Sequence, residues 1–218
     1  MDIKELIKDS RCFIFDLDGT LTDSFSAWKR VDLVFMQRRG LPIPKDYFEK
    51  MASMTFSEAA EYVRAECGVT DPKDRIIGEW LSLVELEYRH RLELLPGALE
   101  LLKGLKDKGR GVVLATSCDK RLYLPFLKRN GVLELFDAIV DSGMVSRGKG
   151  FPDIYLMSAR LAGFKPEDCV VFEDVPLACR GARSAGMLTI GVLGGLSKNE
   201  EELRESCDGV ISGFLELL

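Results

Sequence analysis

Histidine is almost missing from this chain. His90 stands alone in 218 residues, and a single imidazole cannot build a multi-histidine zinc site. It sits in Tyr88-Arg89-His90-Arg91, a charged stretch that reads as a solvated helix face rather than a catalytic position. Six cysteines (Cys12, Cys67, Cys118, Cys169, Cys179, Cys207) include no C-x-x-C pair, and no secretory leader opens the chain at Met1, so the expected setting is the reducing cytoplasm. No apolar run approaches the ~18–20 residues of a membrane span, which sets the expectation of a soluble protein with no membrane partner. Positive charge is in deficit as well. Lysine and arginine number 30 against 35 acidic residues, a net charge of -5, so bulk electrostatics favour no nucleic acid. A small phosphorylated metabolite stays compatible, because there the local field decides. Any catalysis has to rest on carboxylates, hydroxyls and lysine.

What is present is ordinary for a globular protein: 46% hydrophobic and 30% charged residues. The length suits one full domain plus a smaller insert, expected as a monomer or weak dimer. Arg11-Cys12-Phe13-Ile14-Phe15 carries a short continuous apolar run, as a strand buried on both faces would, and it stops at Asp16-Leu17-Asp18-Gly19-Thr20. Comparable runs at 112–115, 138–140, 169–172 and 188–192 alternate with helical patterns. These are Ala98, Leu101, Leu102 and Leu105; Tyr123, Phe126 and Leu127; Ile154, Met157 and Leu161; and the small-residue stretch Ala178, Gly181, Ala182, Ala185. Alternation of this kind predicts an α/β fold, a Rossmann-like parallel sheet core over 1–22 and 95–218. Between Asp23 and Leu94 the periodicity is helical throughout. Thr55-Phe56-Ser57-Glu58 is a capping-box signature ahead of an apolar face of Phe56, Ala59, Ala60, Val63 and Cys67, and Ile77, Trp80, Leu81, Val84 and Tyr88 mark another helix. That is too long for one crossover, so 23–94 is expected to be an inserted helical cap domain, set over the strand ends and able to close as a lid.

Alternation along the first strand would turn Asp16 and Asp18 to one side and Leu17 to the other. Two carboxylates sharing a crevice call for a cation, a proton, or both. The remaining strand ends deliver Thr116-Ser117, Glu173-Asp174 and, from a glycine-rich loop, Lys149 to the edge where open α/β sheets bind ligands. Taken singly, Thr116-Ser117 also reads as a helix cap, Asp174 as an N-cap and Lys149 as a solvated loop lysine. Together they form a coherent set. All-oxygen ligands suit a hard cation, Mg²⁺ above all. The Thr116 hydroxyl, the Ser117 amide and the Lys149 ammonium suit phosphate oxygens. Cys118, beside Ser117 and without a histidine, reads as an inert thiol.

These segments, Phe-Asp16-Leu-Asp18-Gly-Thr20-Leu21, Leu-Ala-Thr116-Ser117, Gly-Lys149-x-x-Pro152-Asp153 and Phe-Glu173-Asp174 with Ala185-Gly186-Met187, resemble motifs one to four of the haloacid dehalogenase superfamily. The insert resembles the small helical cap of its phosphoglycolate phosphatase and β-phosphoglucomutase branch. The resemblance implies Mg²⁺-dependent phosphoryl transfer through an aspartyl-phosphate. It makes Asp16 the nucleophile, Asp18 the acid/base, Thr116 and Ser117 phosphate ligands and Lys149 the charge-balancing catalytic lysine. Asp16, Asp18, Glu173 and Asp174 become the metal site. The chain departs from the usual motifs at Gly150, Val175 and Ala178, none of which removes a functional group. An aspartate at position 18 favours phosphoryl transfer over dehalogenation. A phosphatase is the expected function. The alternatives are a β-phosphoglucomutase-like phosphotransferase and a non-catalytic phospho-acceptor or binding module. Against the mutase, Trp28 stands where those enzymes carry a cap histidine, and Met54-Thr55-Phe56 near their cap arginine. Trp28, Arg30, Phe35, Arg38, Met51 and Met54 are the candidate cap positions for substrate choice. Arg38-Arg39 reads either as a grip on a second anionic group or as a solvated helix end.

Overall fold

The computed structural model describes residues 2–51, 54–193 and 200–218. In chain order its elements are α1 (Ile3–Ile7), β1 (Cys12–Phe15), α2 (Ser24–Gln37), α3 (Tyr47–Met51), α4 (Phe56–Glu66) and α5 (Lys73–His90). There follow α6 (Ala98–Asp107), β2 (Gly111–Thr116), α7 (Lys120–Arg129), β3 (Ala138–Asp141), α8 (Asp153–Ala162) and β4 (Cys169–Glu173). The chain closes with α9 (Pro176–Ser184), β5 (Leu188–Val192), α10 (Glu200–Ser206) and β6 (Gly209–Ile211). Two compact units result, one from residues 1–24 with 92–218 and one from 25–91.

The first unit is an α/β sheet of six parallel strands in the order β3-β2-β1-β4-β5-β6. This is the Rossmann-like architecture that the alternating pattern predicts. The order reverses between β1 and β4, which makes the carboxyl ends of those two strands the natural place for a ligand. Strand alternation divides the core. Cys12 and Ile14 of β1, Val113 and Ala115 of β2 and Val171 of β4 share one cluster with Ile154, Tyr155 and Ala159 of α8. Phe15 and Phe172 stack with centroids 4.9 Å apart, and the Phe214 ring lies 6.0 Å from each. All three rings are fully buried, a gain of roughly 2–3 kcal/mol each relative to exposure.

Two details of the sheet unit differ from the sequence pattern. Strand β6 and helices α1 and α10 carry no clear periodic signal, and Asp208 leads directly into β6. Helix α8 buries Ile154, Tyr155, Ser158 and Ala159, while Leu161 is half exposed. Its inward face is therefore rotated from the Ile154, Met157, Leu161 stripe, because the sheet accepts the flat Tyr155 and small Ala159 at close range.

In the helical unit, Thr55 and Glu58 form the capping box of α4. Thr55 N–H donates to Glu58 Oε2 at 2.8 Å, and Glu58 N–H donates to Thr55 Oγ1 at 3.3 Å. Ala59, Ala60 and Val63 are buried, but Phe56 is 43% exposed, since the first helical turn rolls it off the inward face. Helix α5 buries Ile76, Trp80, Leu83, Val84 and Tyr88, with Leu81 turned outward. Ion pairs join α2 to the second half of the unit. Arg30 donates to Glu87 at 2.6 Å, and Arg39 reaches Asp71 and Glu79 at 2.8 and 2.7 Å. Arg38 also pairs with Glu79, at 3.1 Å. Arg38-Arg39 thus serves the unit's own carboxylates, and Phe35, beneath Trp80 at 5.2 Å, is core.

Candidate active site

The register of the sheet assembles the site. Phe15 pairs with Phe172 and Leu114, so one residue further on Asp16 lies level with Glu173, and its N–H donates to Phe172 O at 3.0 Å. Asp16 continues the face of Cys12 and Ile14, and Glu173 continues that of Val171, so both carboxylates emerge toward α8. Beyond Asp16 the chain turns through Gly19 at φ 87°. A β-carbon at Gly19 would lie 2.1 Å from Asp174 Oδ2, so glycine is what lets the Asp174 carboxylate nestle against the turn. Thr20 Oγ1 donates to Asp174 Oδ1 at 3.3 Å from the same turn.

Lys149 arrives from the loop before α8, and α9 sets its position. A β-carbon at Gly181 would fall 1.9 Å from the Lys149 carbonyl oxygen, so the small-residue face of α9 receives the backbone of the lysine loop. The Lys149 ammonium then bridges Asp16 Oδ1 and Glu173 Oε1, the latter at 2.5 Å. Tyr155, wholly buried on α8, donates its hydroxyl to the same Glu173 oxygen at 3.1 Å.

Charge is crowded here. Burial works against the Lys149 cation, but the attraction of Asp16 and Glu173 outweighs it and holds its pKa above the ordinary lysine value. Burial pushes Glu173 up to about 7, with Asp16 adding repulsion and Lys149 opposing. Burial, then repulsion from Asp16 and Glu173, pushes Asp174 up to about 8. The protein alone therefore leaves more carboxylate than one ammonium can balance. Asp16, Glu173 and Asp174 each offer an oxygen within 4.8 Å of the others. With all three carboxylates ionised, they and the one ammonium leave a surplus of two negative charges, the charge of one divalent cation, and an all-oxygen set fits a hard ion. The residues present fit a divalent metal.

The remaining expected residues lie around this cluster. Asp18 is half-buried in the same turn and forms a bridge with Thr22; its carboxylate is not among the three grouped oxygens. Thr116 ends β2, fully buried, and its Oγ1 accepts from Cys118 N–H at 3.0 Å, which leaves the hydroxyl proton to donate elsewhere. Ser117 is exposed in the loop that follows, and Cys118 is half-buried. Asp174 caps no helix by its side chain; Val175 is the N-cap of α9 and makes no side-chain cap. Gly150 packs beside Leu177, 3.1 Å from where its β-carbon would be. His90 is exposed at the end of α5. Sequence reasoning missed Thr20, Tyr155 and the part played by Gly181. The signal for Tyr155 was a hydroxyl two residues into a helix that follows Lys149.

The family model described as haloacid dehalogenase-like hydrolase matches residues 13–192. A β-phosphoglucomutase of Bacillus subtilis is 30% identical over 84% of this chain and 83% of its own. Hexitol phosphatase A of Escherichia coli is 34% identical, with the same two coverages. A Thermotoga maritima structure assigned as a β-phosphoglucomutase superposes with a TM-score of 0.87 at 25% identity, over 95% of this chain and 96% of the other. No helix among the described residues is long and apolar enough to cross a membrane.

Proposed function

The chain belongs to the haloacid dehalogenase-like hydrolase family, and from that premise we propose a Mg²⁺-dependent phosphatase that hydrolyses a small phosphorylated metabolite, a sugar phosphate or similar, through an aspartyl-phosphate. The observation that carries the proposal is the Asp16, Glu173 and Asp174 carboxylate group with Lys149 seated on Asp16 and Glu173, at the switch point of the sheet.

Bound Mg²⁺ would be held by Asp16, Glu173 and Asp174, with Asp18 beside them, and would supply positive charge to the phosphoryl oxygens. Asp16 uses a carboxylate oxygen to attack phosphorus in line with the ester oxygen, forming the P–O bond of an acyl phosphate as the ester P–O bond breaks. Asp18 gives its proton to the departing alkoxide, so the alcohol leaves neutral. Water then attacks phosphorus and yields its proton to Asp18, the acyl phosphate opens, and Asp16 returns as a carboxylate with inorganic phosphate released. Thr116 donates its hydroxyl, Ser117 its amide and Lys149 its ammonium to phosphoryl oxygens as charge moves onto them. Lys149 also holds the Asp16 oxygen it bonds, which leaves Oδ2 as the attacking atom. Tyr155 keeps Glu173 in place.

The relatives include a mutase, so the fate of the acyl phosphate decides between two readings. Trp28, where a mutase would carry a histidine, and Phe56, in the stretch near a mutase's cap arginine, instead place their ring centroids 5.6 Å apart. An indole relays no proton as imidazole does. Arg30, on the same helix as Trp28, is committed to Glu87. This supports water as the acceptor. Phosphate release from p-nitrophenyl phosphate with and without Mg²⁺, followed by a panel of phosphorylated metabolites, tests the proposal. Metal-dependent release is expected; no release from any ester would favour a binding module. Sustained conversion of β-glucose 1-phosphate to glucose 6-phosphate without free phosphate, watched by ³¹P NMR, would make the protein a mutase.

A further inference from the structure

The helical unit carries a pocket of about 390 Å³ that opens to solvent, within the range of small-molecule sites. Trp28, Phe48, Met51, Met54, Phe56 and Trp80 form its walls. Four of these six are aromatic, and their faces carry the negative end of the ring quadrupole. One buried charge lines the same space: Asp32 of α2, 9% exposed. Tyr47 donates its hydroxyl to Asp32 Oδ1 at 3.0 Å, and among the described residues that is the only hydrogen bond to this carboxylate, with no ion pair reaching it. Burying a carboxylate against one neutral donor is unfavourable. The lining does hold a cation, Lys29, but that side chain is exposed and its Nζ lies over the Phe48 ring, 5.2 Å from the centroid.

Aromatic faces around a buried, under-partnered carboxylate are the chemistry that recognises an organic ammonium: the rings attract the cation and the carboxylate takes its N–H bonds. Lys29 over Phe48 already shows one wall of the cavity accepting a cation. We propose that this cavity binds a small organic ammonium compound, a protonated amine carried on an aromatic or aliphatic body, with the ammonium on Asp32 and the body among the rings. The site is made entirely from the helical unit, so it stands whether or not the sheet unit is a phosphatase.

The chain's two tryptophans, Trp28 and Trp80, both line the cavity, so intrinsic fluorescence reads its occupancy. The whole chain is titrated at about pH 8, above the value of about 7 to which burial raises the Asp32 carboxyl, with three probes of one shape: 2-phenylethylammonium, 2-phenylethanol and 3-phenylpropionate. A saturable fluorescence change is expected with the ammonium, at least about tenfold tighter than with either of the others. Asp32→Asn should bring the ammonium close to the alcohol while the far-ultraviolet circular dichroism is unchanged. Lys29→Met should leave ammonium affinity equal or raised. No saturable change with the ammonium, equal binding of the alcohol, or a preference for the carboxylate would each overturn the proposal, and none of these needs a variant. Undiminished ammonium binding in Asp32→Asn would overturn it too.

Discussion

Asp32→Asn should stabilise the helical unit in neutral and alkaline solution and do so less and less as the pH falls. Burial raises the Asp32 carboxyl from 3.8 to about 7, and the Tyr47 hydroxyl bond offsets that only in part. The folded carboxyl keeps its proton to higher pH than the unfolded one, so folding binds a proton in that window. The contribution to stability is complete below about pH 4 and is lost as the pH rises through about 7. About three pKa units at ~1.36 kcal/mol each give roughly 4 kcal/mol as the ceiling, and roughly 2–4 kcal/mol is expected once local relaxation is allowed. Asparagine keeps a carbonyl for the Tyr47 hydroxyl and carries no charge, so it removes the penalty without opening a cavity. Urea unfolding followed by tryptophan fluorescence suits the question, because Trp28 and Trp80 both belong to this unit. Raised Glu173 and Asp174 add their own pH dependence in the sheet unit, so the informative quantity is the variant minus the wild type at each pH. That difference should grow toward alkaline pH. A difference that stays flat between pH 4 and 8 would refute a buried, under-partnered Asp32.

Three further outcomes follow from the candidate site. Asp18→Asn should lower kcat by roughly 10²–10⁴ through loss of the acid/base group, with the unfolding curve unchanged. Tyr155→Phe removes only the hydroxyl bond to Glu173, worth about 1 kcal/mol; Mg²⁺ activation should need a several-fold higher concentration while kcat at saturating metal is nearly kept, and an unchanged metal titration would remove Tyr155 from the site. Gly19→Ala places a β-carbon on Asp174 in left-handed backbone, costing about 1–2 kcal/mol in stability. It should also weaken metal activation strongly, as read by calorimetric titration of Mg²⁺.

Much of the sheet unit was legible because a central parallel strand is buried on both faces and its sequence shows it: Cys12-Phe13-Ile14-Phe15 has nowhere else to go. The same run ends on Asp16-Leu17-Asp18-Gly19, so the site announced itself where apolar character stops. Lys149 was legible as a charged residue near the right edge, but not as the bridge between Asp16 and Glu173, since that depends on Gly181, far along the chain, having no side chain. Periodicity failed where helices turn by a fraction of a residue. Phe56 and Leu81 satisfy the spacing of an inward face yet are exposed, and Phe56 lines a cavity instead. Strand β6 was hidden because three residues at a sheet edge, Gly209–Ile211, carry too little pattern. Arg38-Arg39 could not be resolved in sequence because Asp71 and Glu79, which hold them, are more than thirty positions away.

The central claim is that phosphoryl transfer passes through Asp16. Rapid acid quenching of the wild-type enzyme with a ³²P-labelled monoester that it turns over, followed by peptide mass spectrometry, tests it most directly. The account predicts label on the peptide carrying Asp16, lost on treatment with hydroxylamine as an acyl phosphate should be, with neither label nor phosphate release in Asp16→Asn. Turnover that persists in Asp16→Asn, or label that resides on another residue, would contradict it.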